Sequence, residues 1–271
     1  AIYYPLAYYK GADETIDPLV EGRQRQVVGL IRTQFLKRFE SSVRAFELSC
    51  NTLLLKLLTF VTKHSETPGE KRWLERWLGR QADLVEHVKQ RQIEILGTPE
   101  SEQDEDDDIV TEEMLESIEQ LSRDEYRVDE ILTETHDDLE QLATFLDEIR
   151  RFKPAHDDKL NTLFDLLKSD PVMSKHKVLI FTEYMATARY LRSELERAGI
   201  EGVDEIDSAN SDRQGVIERF APYYNNSSSA GLKKRSLAET RVLISTDVLS
   251  EGLNLQDATR LINYDIHWNP V

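Results

Sequence analysis

The sequence predicts an α/β protein whose last hundred residues form a parallel-sheet lobe, preceded by a mainly α-helical region. Two patterns predict it. After Pro171, four short extended runs (178–181, 203–206, 242–245 and 261–264) alternate with helical patterns. Strands alternating with helices call for a parallel sheet with helices on both faces. Before Pro171, apolar residues recur at three- and four-residue steps, the period of amphipathic helices. A length of 271 residues fits one large domain or two of ordinary size.

Residues 1–20 carry Tyr3, Tyr4, Tyr8, Tyr9 and two prolines without a period, and read as an irregular lead-in. From Arg23 to about His64 the pattern Val27, Leu30, Ile31, Phe35, Phe39, Val43, Phe46, Leu53, Leu57, Phe60 predicts helix, bracketed by Gly22 and the turn Thr67-Pro68-Gly69. A second helix is expected over Glu70–Leu96, with Trp73, Trp77, Leu84 and Val88 on one side and Gly97-Thr98-Pro99 at its end. The acidic tract Ser101–Asp108 lacks apolar residues and reads as the heart of a loop over 100–109. Its carboxylates could suit Ca²⁺ or Mg²⁺, but the EF-hand spacing and glycine are missing. A third long helix is predicted over Thr111–Phe152, breaking near Asp124 or Thr135 and stopped by Pro154. Asp157–Leu167 reads as a short amphipathic helix closed by Asp170-Pro171. In the lobe, helices are expected over Met185–Ala198 and Asp212–Phe220, with a long polar loop from Pro222 to Glu239. The division expected is a helical linker or insertion over 1–156 and a second domain over 157–271.

Charge separates the same regions. The chain carries a formal −17, yet Pro171–Val271 holds 12 Lys+Arg against 14 Asp+Glu, a net of −2, so the other −15 lies in residues 1–170. The total argues against a simple nucleic-acid-binding module, which is usually basic. The acidity can repel phosphate backbones or be the solvated face of helices. One cysteine, Cys50, excludes a disulfide framework and suits a reducing compartment. No apolar run of membrane-spanning length occurs, so no membrane partner is expected. No signal peptide is evident, and the start at Ala1 suggests an excised piece.

In an open α/β sheet, ligands bind where loops leave the carboxyl ends of the strands. Three polar clusters are expected there: Thr182-Glu183-Tyr184, Asp207-Ser208, and Thr246-Asp247 with Ser250-Glu251-Gly252. Hydroxyls and backbone N–H groups near a helix start can hold phosphate oxygens. Gly252 permits close backbone approach. Asp247 could instead simply cap the following helix.

The string Thr246–Asp257, TDVLSEGLNLQD, is similar to motif V of superfamily-two helicases. Val178–Tyr184 resembles motif IV, and Ser208–Phe220 resembles the segment between the two. Tyr264–Pro270 resembles the stretch that follows in Swi/Snf-type motors, with His267 where an Asp is usual. No second His or Cys stands at ligand spacing, so His267 reads as structural or substrate-gating. Leu30–Ser42 looks like the segment joining the lobes in RapA/HepA-like proteins, although Arg32, Lys37 and Arg38 also fit a solvated helix face. Asp157–Leu160 resembles the first helix of the second lobe. The resemblance covers roughly residues 25–45 and 157–271 and leaves 46–156 as an insertion.

This resemblance to a Swi/Snf-type, RapA/HepA-like helicase or DNA translocase implies a RecA-like second lobe that ends before motif VI. It implies nucleic-acid contacts from Phe181, Thr182, Ser208, Arg213, Thr246 and Ser250. It implies ATP-facing residues Glu251, Gly252, Leu253, Asn254, Leu255 and Asp257, and no metal ligand. The intact enzyme is expected to bind ATP and Mg²⁺ between two lobes and to follow double-stranded DNA through its backbone, in the bacterial cytosol or nucleoid. Its N-terminal motor lobe would be a partner of this piece. The sequence lacks GxxxxGK[ST], a DExH string and a QxxGRxxR after Pro270, and Gly231-Leu232-Lys233-Lys234 has the wrong spacing for a phosphate loop. Phosphoryl transfer needs those parts, so the chain alone is expected to hold no cofactor and to be inactive. Two rival readings stand beside this one. The first is a helical module that docks a protein partner and carries a non-catalytic nucleotide-binding-like lobe. The second is a Rossmann-type enzyme, against which the absence of GxGxxG counts.

Overall fold

The computed structural model describes residues 1–12, 17–96, 118–206, 212–246 and 255–265. It divides into two compact units. One is made of the described parts of Ala1–Arg38, Phe46–Glu102 and Asp106–Arg151, the other of those of Phe39–Ala45 and Phe152–Val271.

The helices run in the order α1 (Pro18–Ser41), α2 (Val43–His64), α3 (Pro68–Arg80), α4 (Ala82–Leu96) and α5 (Val128–Arg150). Periodicity predicts a single helix over 23–64, but the chain breaks at Ser42. The Ser42 hydroxyl accepts from the Ala45 N–H at 3.1 Å, starting a new helix. The helix expected over 70–96 also divides, at Gln81, between α3 and α4. At the start of α3, Thr67 and Glu70 form a capping box, which is worth about 0.5–2 kcal/mol at the cap. The helix expected from Thr111 begins only at Val128. Residues 118–127 are not helical, in keeping with the break near Asp124, and 111–117 lie outside the described residues. The alternative break at Thr135 does not occur: Thr135 is buried inside α5 and its hydroxyl bonds to the Ile131 carbonyl at 2.7 Å.

The interior of this unit is lined by Leu54, Phe60 and Val61 of α2, Trp77 of α3, Val88 of α4, and Ile131, Leu139 and Leu146 of α5. By length and hydropathy α2 could cross a membrane, but 61% of that window is buried inside the protein. It packs as a core helix. By contrast Leu19, Val27, Leu30 and Phe39 of α1 are exposed, so part of the predicted stripe is not core. Arg38, for which a solvated helix face was one of two readings, is only 6% exposed. The lead-in is tied to residues 125–127: Lys10 N donates to Glu125 O and Arg127 N to Tyr8 O, both at 2.8 Å. Two polar centres fix the helix ends. His64 is buried, its Nδ1 2.8 Å from Phe60 O, while its Nε2 accepts from Leu121 N at 2.8 Å. The Arg123 guanidinium donates to His64 O and Glu70, each at 2.9 Å, and pairs with Asp129.

The second unit contains α6 (Asp158–Ser169), β1 (Val178–Phe181), α7 (Met185–Arg197), β2 (Val203–Ile206), α8 (Arg213–Phe220), α9 (Ser229–Lys234), β3 (Val242–Ser245) and β4 (Arg260–Asn263). All pairings among the described strands are parallel, in the order β2-β3-β1-β4. The two central strands read VLIF and VLIS because both of their faces are covered. Val178, Ile180, Val242 and Ile244 point to the face packed by α6 and α7, among Leu160, Leu191 and Leu195. Leu179 and Leu243 point the other way, against Val216, Ile217 and Phe220 of α8. The two-residue alternation of a strand makes this division. The loop expected over 222–239 contains a short helix, α9, capped by Ser228, whose hydroxyl accepts from Gly231 N at 3.1 Å.

Between α7 and β2, Gly202 has φ of +69°. Its carbonyl accepts from both Arg241 N (2.7 Å) and Val242 N (3.0 Å). A Cβ there would stand 3.0 Å from Glu239 O, so only glycine suits the position.

Candidate functional site

Parallel strands end together, and their register sets the carboxyl rim: Phe181 lies opposite Ser245 on one side and Asn263 on the other. Backbone bonds continue past the strand ends. Thr182 N donates to Ser245 O at 3.0 Å, Tyr264 N to Phe181 O at 2.8 Å, and Thr246 N to Ile206 O at 3.3 Å. The chain thus brings Phe181, Thr182 and Thr246 to one edge. Arg213 stands at the first turn of α8, which follows the segment leaving β2.

At this rim sits a cluster that the sequence analysis does not single out. The Asp265 carboxylate accepts from the Thr182 hydroxyl at 2.6 Å and from Glu183 N at 2.7 Å through Oδ2. Its Oδ1 lies 3.4 Å from the Lys159 ammonium. Lys159 also donates to the carbonyls of Glu40 (2.9 Å) and Ser41 (3.0 Å), the last residues of α1, and sits 3.9 Å above the centre of the Tyr264 ring. Burial lowers the pKa of Lys159, and Asp265 acts against that shift. Beneath it, Asp157 caps α6 by accepting from Leu160 N at 2.9 Å, and its second oxygen accepts from the Tyr190 hydroxyl at 3.0 Å. Burial raises the Tyr190 and Tyr264 phenols well above their ordinary range. Ser41 and Ser42 each lie 2.7 Å from the Thr187 hydroxyl on α7. The string Asp157-Asp158-Lys159-Leu160 therefore supplies a cap, a rim cation and a core residue within four positions. The signal for Asp265 was its place just past a strand end.

The rim has consequences for the predicted contacts. Thr182 is 3% exposed and its hydroxyl proton goes to Asp265. Thr246 is 6% exposed, and Phe181 packs against the α8 side of the sheet. Leu255 packs against that same apolar cluster. Asp257 stands at the opposite edge: its carboxylate lies 4.0 Å from Lys177, which precedes β1, and accepts from Tyr223 N at 3.2 Å. Asp257 therefore does not join the rim. Ser208, Ser250, Glu251, Gly252, Leu253 and Asn254 lie outside the described residues, as do Asp207, Asp247 and His267. Among the described residues no group of three His, Cys, Asp or Glu is placed to hold a metal.

This parallel sheet, covered by helices on both faces, defines an open α/β lobe. Residues 158–271 match the helicase conserved C-terminal domain family, and the fold of this lobe is RecA-like. A curated relative is the "Uncharacterized ATP-dependent helicase YqhH" of Bacillus subtilis (strain 168). It is 31% identical over 143 residues, which cover 48% of this chain and 23% of the relative. The matched part thus spans about a quarter of that protein's length. The crystal structure of the C-terminal part of the Fun30 ATPase domain superposes with a TM-score of 0.34 at 17% identity, covering 84% of this chain and 73% of that one. A superposition so loose carries no argument.

Proposed function

We propose that this chain contributes the second motor lobe of an ATP-dependent, nucleic-acid-stimulated helicase or translocase of the Swi/Snf type, working with a separate N-terminal motor lobe. The observation that carries this reading is the shared carboxyl rim, where Thr182 after β1 bonds the end of β3 through Ser245 O and the segment after β4 through Asp265. That is where an open α/β sheet receives ligands. The family match to residues 158–271 supports it.

In this reading, Arg213 and the loops bearing Ser208 and Ser250 contact the backbone of double-stranded DNA, with Phe181 and Thr246 forming the floor. Thr182 acts through Asp265 by shaping the β1 loop. The nucleotide-facing stretch runs through Glu251, Gly252, Leu253, Asn254 and Leu255, and ATP with Mg²⁺ is held only when the other lobe completes the cleft. Phosphate contacts give binding that weakens with salt and varies little with sequence.

The experiment is fluorescence anisotropy of a labelled duplex against a salt series. Arg213→Gln is expected to lower the slope of log affinity against log salt by about 0.9. Equal slopes for the two proteins sink the backbone-contact reading. Phosphate release from ATP by this chain alone should stay at background with and without duplex, since the arginine supplied by the remaining machinery is worth about 10³–10⁵ in phosphoryl transfer. DNA-stimulated turnover would refute the division of labour.

A further inference from the structure

We propose that the segment between α8 and β3 forms a second nucleic-acid contact, one for a single-stranded stretch, at the edge of the sheet opposite the rim. The rim residues take no part in it. The position follows from Tyr223 N, which donates to Asp257, and from Asp257 facing Lys177 at the start of β1. A four-residue strand separates the two edges by about 13 Å.

Two adjacent tyrosines are open to solvent here, Tyr223 at 65% and Tyr224 at 50% exposure. The Tyr223 hydroxyl lies 3.2 Å from the hydroxyl of Ser229, the first residue of α9. Lys233 is four residues further along that helix. Residues four apart stack on one helix face about 5–6 Å from each other. Lys233 is therefore one turn from the group that anchors the Tyr223 ring. Lys233 and Lys234 are both exposed. Arg235 is held by Glu218 and by Ser227, at 3.2 Å in each case, which pins the end of the helix. Asn225 Nδ2 donates to Ala221 O at 2.7 Å and keeps the tyrosine turn closed.

The nearby carboxylates are already engaged: Asp257 accepts from Tyr223 N, Glu239 pairs with Lys177, and Glu218 holds Arg235. The 19 residues from Phe220 to Ala238 contain Lys233, Lys234 and Arg235 and no Asp or Glu, in a chain with 51 acidic residues. Stacking rings beside ammonium groups are what a flexible single strand uses, with bases on the rings and phosphates on the lysines. A duplex keeps its base faces covered and gains nothing from exposed tyrosines. An acidic peptide would use the lysines and leave the ring faces idle.

The test measures anisotropy of a labelled oligothymidine of about twenty nucleotides with the whole chain. Wild type is compared with the double variants Tyr223→Ser/Tyr224→Ser and Lys233→Gln/Lys234→Gln. The tyrosine variant is expected to bind at least about tenfold more weakly, as the loss of one to two stacked bases requires. The lysine variant should lower the salt slope by about 1.4, which is 0.7 per phosphate on a single strand. Circular dichroism and urea midpoints should stay at wild-type values, because these side chains are exposed. Unchanged affinity in the tyrosine variant overturns the proposal, as does a poly-glutamate peptide that loses affinity to the same tyrosine changes. Arg213→Gln distinguishes the two readings. If it spares duplex binding while the tyrosines still govern the single strand, the rim reading fails and this one stands; the reverse outcome removes only this one.

Discussion

Each unit is organised around a cation that binds carbonyls and a carboxylate, but the two cations stand in different company. In the helical unit, Arg123 grips the end of α2 through His64 O and the start of α3 through Glu70. Of its other carboxylates, Glu66 is 57% and Asp129 82% exposed. In the α/β unit, Lys159 grips the end of α1, and its carboxylate, Asp265, is only 9% exposed and itself holds a hydroxyl and an N–H of the loop after β1. The first arrangement staples helix ends. The second also fixes the shape of a loop where ligands of such sheets bind. Equivalent ionic parts thus have different consequences according to whether they sit at a helix end or at a strand end.

The comparison can be broken at four points, with decreasing effect. The interiors come first: Trp77→Ala in the helical unit and Phe220→Ala in the other remove fully buried rings. Each should cost about 3–5 kcal/mol in urea unfolding, and a loss near 1 kcal/mol would mean that the ring is not core. Next comes Asp265→Ala, which strands the Glu183 N–H and the Thr182 hydroxyl and should cost about 1–3 kcal/mol. It should also speed hydrogen exchange at the Glu183 amide. Lys159→Met should cost less, because that side chain is 38% exposed. If the lysine variant proved the more damaging, the carboxylate would not be the organiser.

The third point is pH. Burial, the leading cause, lowers the pKa of both His64 and His136. The folded state therefore disfavours the protonated ring, and its advantage, complete above the unfolded value of about 6.5, is lost as the pH falls through and below it. Protonated His64 could no longer accept from Leu121 N. Urea midpoints of the whole chain should fall between about pH 7.5 and 5.5. His64→Leu should flatten that decline while lowering stability at both ends. An unchanged slope would locate the titration elsewhere. The smallest effect belongs to Asp129→Asn at the rim of the Arg123 cluster. Exposed pairs are worth about 0–1 kcal/mol, and a larger loss would place the Arg123 cluster on a par with that of Lys159.

Legibility follows the same divide. The four strands stand within one residue of their expected bounds, because buried parallel strands are short, continuous and apolar between turn signals. The helix breaks at Ser42 and Gln81 were hidden, since a three-and-four repeat can carry on across a kink while a single hydroxyl restarts the ladder. At the site, Phe181, Thr182 and Thr246 were legible as strand-end residues. Asp257 was assigned to the nucleotide because it shares a continuous motif string with Gly252, yet its carboxylate faces Lys177 at the start of β1. Lys159 and Asp265 are 106 residues apart, and no local spacing joins them.

The double acceptor at Gly202 has a quieter consequence. One carbonyl receives two successive N–H groups at the start of β3, so the main chain itself pins the offset between β2 and β3. Repainting the strand faces with other aliphatic residues would change how firmly the lobe holds together, but not which residue sits across from which. That choice rests on a single missing methyl group.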